Sequence, residues 1–262
     1  MKEKNLTYKK TYFSSLFLFF ILCMISCSGE ERMSNNELYP AKPFLIPHLG
    51  TIGDNDWLTD TNNGIDSLSD GDWIRLQWDK LIDNDLRIIR IYRFAGEINQ
   101  FPVIVDSVIW NNTQYIDRLT SASIGDISRL DTDWHYFIRV VNFSNNYTDS
   151  DTVNFRLSHK PLLEYPIDGA LFEGSSDINF KWRNQGDTTR LRLLLFMENS
   201  ETPLWYFDEF IFINDLIYEK KYDGEPLLSG SYIWRVDSRG IADSSGHYHS
   251  GSKSNIRRFI IQ

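Results

Sequence analysis

The chain carries one strand-like pattern twice, and this duplication limits its possible folds more than any other feature. Ile74-Arg75-Leu76-Gln77-Trp78 is matched by Ile178-Asn179-Phe180-Lys181-Trp182, with apolar residues at alternate positions and tryptophan last. Leu86-Arg87-Ile88-Ile89-Arg90-Ile91-Tyr92 corresponds to Leu191-Arg192-Leu193-Leu194-Leu195-Phe196, and Tyr136-Phe137-Ile138-Arg139-Val140 to Tyr232-Ile233-Trp234-Arg235-Val236. The offsets are 104, 105 and 96 residues, so the order is kept and only the connecting lengths change. Self-similarity of this kind is the mark of a duplicated structural unit.

Within each run the apolar positions alternate, and Gly, Asn, Asp and Ser fill the gaps, which is the pattern of antiparallel strands with one buried face. No sustained helical periodicity follows residue 26. Strand spacing near ten residues with a period near one hundred predicts about seven strands per unit, an all-β fold of two tandem immunoglobulin-like sandwiches. The expected first domain spans 40–158 and closes on Val153-Asn154-Phe155-Arg156-Leu157. The second spans 161–262, opens with Pro161 to Gly169 and closes on Ile256 to Ile261. Only Ser158-His159-Lys160 lies between the last strand of the first and Pro161, which predicts a short, semi-rigid junction and a rod-like pair.

The repeated unit resembles fibronectin type III. That family carries a tryptophan on its second strand, matched by Trp78 and Trp182, and a tyrosine-corner strand of the form L-x-x-G-x-Y-x-x-R-V, matched by Leu227, Gly230, Tyr232, Arg235 and Val236. In the first unit Leu130 and Tyr136 keep roughly that relation, but Asp131-Thr132-Asp133 stands where the glycine should be. The resemblance implies that the tyrosine hydroxyls bond upstream backbone and pin the crossing between sheets. It implies structure alone, because a fold does not confer a function.

Ahead of the repeat, residues 1–10 are basic and residues 12–25 form an apolar stretch, which together read as a signal peptide over 1–26. The stretch is short for a spanning helix, which needs roughly 20 residues. Met24-Ile25-Ser26-Cys27 resembles the lipobox of bacterial lipoproteins, which implies lipid attachment at Cys27; Cys23 fits worse because Leu22 is too large for the small-residue position. A lipid chain contributes about 0.8 kcal/mol per buried methylene, so several chains on one residue give durable attachment. Residues 27–39 are polar and read as a flexible tether, and Gly29-Glu30-Glu31 is similar to a surface-export signal of Bacteroidetes lipoproteins.

These are the only two cysteines, so the repeat is held by core burial and not by disulfides. The formal charge is −9, and residues 1–26 carry four lysines against one glutamate, which leaves about −12 on the remainder. A body that acidic repels phosphate backbones and anionic headgroups, which argues against nucleic acid as a partner.

Three segments are candidate sites. Trp205, Tyr206, Phe207 and Phe210 form an aromatic cluster that either stacks on sugar rings and partner pockets or fills the core. On a strand Trp205 and Phe207 share one face while Tyr206 and Phe210 share the other, so one set is expected in the core. Residues 48–72 form an acidic insertion in which Asp60, Asn62 and Asp66 place oxygens suited to calcium. The spacing departs from the EF-hand pattern, and a solvated acidic loop is the competing reading. His247 and His249 would lie on one side of a strand as half of a metal site, with an exposed loop as the alternative.

No G-x-S-x-G, H-E-x-x-H, Walker loop, G-x-G-x-x-G or cysteine nucleophile occurs in the repeat. The expectation is a non-enzymatic lipoprotein without a cofactor, tethered to the outer membrane on its periplasmic or external side, which binds an envelope protein or a glycan. The alternative is a structural spacer or assembly accessory with no ligand pocket.

Overall fold

A computed structural model describes residues 39–46, 65–96, 101–174, 178–185, 188–200, 202–210, 217–240 and 250–262. The first repeat supplies β1 (Ile65–Ser67), β2 (Ile74–Gln77) and β5 (Gln114–Asp117), which pair in the order β1-β2-β5. The facing sheet contains β4 (Val103–Ile109), β3 (Leu86–Ala95), β6 (Asp133–Asn142) and β8 (Val153–Leu157), in the order β4-β3-β6-β8. The short β7 (Tyr147–Asp149) adds to β6. One helical turn, α1 (Ser121–Ile124), follows β5; it is too short to leave a periodic signature in the sequence.

The second repeat is built in the same way. β9 (Leu162–Tyr165), β11 (Asn179–Arg183) and β14 (Ile217–Lys221) form one sheet, ordered β14-β11-β9. The other contains β13 (Trp205–Phe210), β12 (Arg190–Met197), β15 (Gly230–Arg239) and β17 (Arg257–Ile261), with β10 (Ala170–Phe172) running parallel to β17. The matched sequence runs therefore become β2 and β11, β3 and β12, β6 and β15, each with the same neighbours.

Alternation decides which side chains meet between the sheets. Ile74, Leu76 and Trp78 from one sheet pack with Ile89, Ile91, Ile138, Val140 and Phe155 from the other, and Phe180 and Trp182 pack in the same way with Leu191, Leu193, Trp234 and Phe259. Trp78 and Trp182 are buried completely or nearly so. Burying side chains of this size contributes roughly 2–3 kcal/mol each, enough to hold the sandwiches without disulfides.

The two tyrosine corners differ. The Tyr232 hydroxyl donates to the Leu228 carbonyl at 2.8 Å, the upstream backbone bond that the resemblance implies. The Tyr136 hydroxyl instead donates to the Asp117 carboxylate at 3.0 Å. A buried acid in the opposite sheet replaces the backbone acceptor in the repeat that lacks the glycine.

The two sandwiches also meet through a strand. β16 (Ser250–Lys253) pairs with the end of β15 and, in parallel, with β8 of the first sandwich, so one sheet runs from β10 through to β4. Ser158 N donates to the Gly251 carbonyl at 3.1 Å, and Ser252 Oγ to the His159 carbonyl at 3.0 Å. Residues 39–262 form one compact unit. Gly251 is required there, because a Cβ at that position would lie 2.4 Å from the Ser238 carbonyl oxygen.

Candidate functional site

β4 and β5 are the free edges of the two sheets in the first sandwich, and a cleft of about 500 Å³ opens between them. This volume falls in the range of small-ligand sites. Its position follows from the strand order: among the described residues β4 pairs only with β3, and β5 only with β2. Val105 and Val108 point inward from β4 and pack against the core, which gives the cleft an apolar wall. Asn112, Gln114 and Tyr115 line it from the turn and strand that follow, with Asp106 on β4 and Thr120 beside α1.

Asp117 lines the floor and belongs to a buried ion pair beneath it. Arg93 lies in phase with the core residues Ile89 and Ile91 on β3, and its Nη1 donates to Asp117 Oδ2 at 2.5 Å. Its Nη2 donates to the Ser123 carbonyl of α1, and its guanidinium lies 4.9 Å above the Trp134 ring. Asp117 also accepts from Leu119 N at 2.9 Å and from Tyr136, so its buried charge is met on several sides. The network ties β3, β5, β6 and α1 together across both sheets. The sequence contains a signal for it, since an arginine in phase with core positions needs a buried partner.

Tyr115 is half-buried, and its phenol is pushed up to about 12, first by burial and then by the charges of Asp117 and Asp106. It therefore remains a neutral hydrogen-bond donor across the physiological range.

The structure divides the aromatic cluster as the strand period requires. Trp205 and Phe207 pack against the second core: Trp205 stacks on Phe180 at 5.8 Å, meets Tyr222 edge-on at 5.2 Å, and donates from Nε1 to Asp223 at 3.1 Å. Tyr206 and Phe210 face outward and are exposed. Between them Asp208 accepts from Arg192 Nε at 2.6 Å and from Arg190 Nη2 at 2.6 Å. Burial pushes the Asp208 carboxyl up, but the two guanidiniums outweigh it and hold it below its ordinary value. Arg192 lies 4.7 Å over Tyr206 and Arg190 5.3 Å over Phe210, so both exposed rings already have cations on one face.

The acidic insertion is partly strand, since Asp66 lies in β1 opposite Arg75. Asp60 and Asn62 lie outside the described residues, as do Cys27, His247 and His249. Lys160 anchors the described end of the insertion: its Nζ donates to the carbonyls of Leu68, Ser69 and Gly71 at 3.1, 2.9 and 2.8 Å. Among the described residues no three His, Cys, Asp or Glu side chains gather as a metal site, and no helix is long and apolar enough to cross a membrane.

No family model matches the chain, and no curated protein does. Solved structures similar to it include the FN1-FN3 domains of chicken CNTN1, with a TM-score of 0.26 and 11% identity over 75% of this chain. The chain spans 64% of that structure. The fibronectin(III)-like modules of Clostridium thermocellum CbhA are similar with a TM-score of 0.25 and 13% identity, covering 76% of this chain and 93% of theirs. The fold class is all-β, two immunoglobulin-like sandwiches in tandem, as the strand pairing establishes.

Proposed function

We propose that the chain is a non-enzymatic binding module of the cell envelope, tethered through a lipid on Cys27 after removal of residues 1–26, with residues 27–39 as the tether. The observation that carries this reading is the cleft between β4 and β5, where polar side chains surround an apolar wall on a floor held by Arg93 and Asp117. β4 and the residues just before it add exposed apolar surface at Phe101, Ile104 and Ile109. Surface of that kind on a free edge is the usual setting for recognition of a partner.

Mass spectrometry of the mature N-terminus, combined with protease accessibility on intact cells, tests the proposal. A lipid mass on Cys27 with external cleavage supports a surface module that meets glycans or other cells. A lipid mass with protection supports a periplasmic partner. An unmodified Cys27 removes the tether from the reading.

The continuous sheet across the junction favours a second reading, a spacer that sets a fixed distance from the membrane. A spacer tolerates substitutions throughout the cleft without loss of its cellular role, whereas a binding module does not.

A further inference from the structure

We propose that the cleft between β4 and β5 binds a neutral sugar ring of a glycan, which deepens the binding-module reading and rests on it. The lining chemistry selects this class of ligand. The Asn112 and Gln114 amides and the Tyr115 hydroxyl make no hydrogen bond through their side chains to other described residues, so their donors and acceptors remain available. Among the described residues Asp106 accepts only from the neighbouring Ser107 N, at 2.6 Å, which leaves acceptor capacity on its other oxygen.

A sugar ring presents hydroxyls, each both donor and acceptor, around a C–H face. Two amides, a phenol and a carboxylate match the hydroxyls, and the Val105 and Val108 wall matches the C–H face. An anionic ligand is disfavoured by the acids at the cleft: Asp117 neutralises Arg93, and the Arg118 guanidinium, which lies 4.8 Å over the Trp73 ring, is the one cation lining it among the described residues. Asp106 and the net charge of −9 add repulsion. The base of the cleft is preorganised, because Asp117 is fixed from three sides.

The test is an array of neutral gluco-, galacto- and manno-oligosaccharides probed with the full chain in detergent, followed by saturation-transfer NMR on any hit. Gln114→Ala and Asp106→Ala are compared with Tyr206→Ala and Phe210→Ala on the outer face of the second sandwich. Both cleft positions are exposed, so these variants are expected to fold, and matching circular dichroism spectra confirm it.

The proposal expects a hit whose affinity falls at least tenfold in either cleft variant and stays within twofold in the outer-face variants. Binding lost in the outer-face variants but kept in the cleft variants overturns the cleft assignment and leaves the binding-module reading intact. Binding to none of the neutral oligosaccharides overturns the sugar proposal; crosslinking of the full chain to envelope proteins then tests the module reading separately.

Discussion

Arg93 on β3 and Asp117 on β5 meet at 2.5 Å across the interior of the first sandwich, with both side chains almost wholly shielded from water. The second sandwich repeats the strand order, but the residue at the place of Tyr136 bonds backbone instead of an acid. The first repeat has therefore exchanged a backbone-capped corner for a charged one beside its cleft.

Breaking one side of that pair leaves a buried charge unmet. Arg93→Met should lower the free energy of unfolding by about 3–5 kcal/mol, read from urea denaturation. Asp117→Asn should also destabilise, and the double variant should lose less than the sum of the two, because the residues share one network. Additive losses would show that the two side chains act independently.

The tyrosine corners should separate by acceptor. Tyr232→Phe removes a bond to a neutral carbonyl and should cost about 1 kcal/mol, whereas Tyr136→Phe removes one to a carboxylate and should cost about 2 kcal/mol. Equal losses in paired melts would contradict the exchange of acceptors.

His135 stacks on Phe94 at 4.8 Å on the outer face of the first sandwich, and burial holds its imidazole below the ordinary 6.5. The unfolded chain then binds more protons than the folded one below pH 6.5, so this group's contribution is present above that pH and is lost as the pH falls through the folded value. His135→Phe should narrow the gap between melting temperatures at pH 7.5 and pH 5. An unchanged gap would mean that other groups carry the acid sensitivity.

Much of this arrangement is legible in the sequence. Alternation in Ile74 to Trp78 and Ile178 to Trp182 marks the inward faces, and the Leu227 to Val236 spacing marks the corner that Tyr232 makes. The pairing of Trp205 with Phe207 on one face is also legible, although period two does not say which face turns inward. The core sits on the Trp205 side because Phe180 and Tyr222 converge there. β16 is not legible, since Ser250-Gly251-Ser252-Lys253 has no apolar alternation and its partner β8 lies far away in the chain. Its pairing comes from exposed backbone on two neighbouring edges, which side-chain patterns do not record.

That division of the aromatic cluster carries its own expectation. Trp205→Ala should cost about 2–3 kcal/mol because the half-buried indole stacks on Phe180 and bonds Asp223, whereas Tyr206→Ala should cost about 1 kcal/mol or less. Comparable losses in denaturation would mean that both rings belong to the core.

Gly251 is the most sensitive point of the junction. Gly251→Val places side-chain atoms against the Ser238 carbonyl and should cost about 1–3 kcal/mol as β16 shifts. Limited proteolysis should then cut near 158–160 faster than in the parent chain. An unchanged cleavage rate would show that β16 does not secure the segment.

The parallel bond between β8 and β16 turns the tandem into a ruler. A ligand long enough to touch both sandwiches meets two faces at a set spacing, and no linker entropy averages that spacing out. Its gain from the second contact then depends on how well its own repeat length matches the protein, so a stiff partner of the right period is favoured over a flexible one of the same composition.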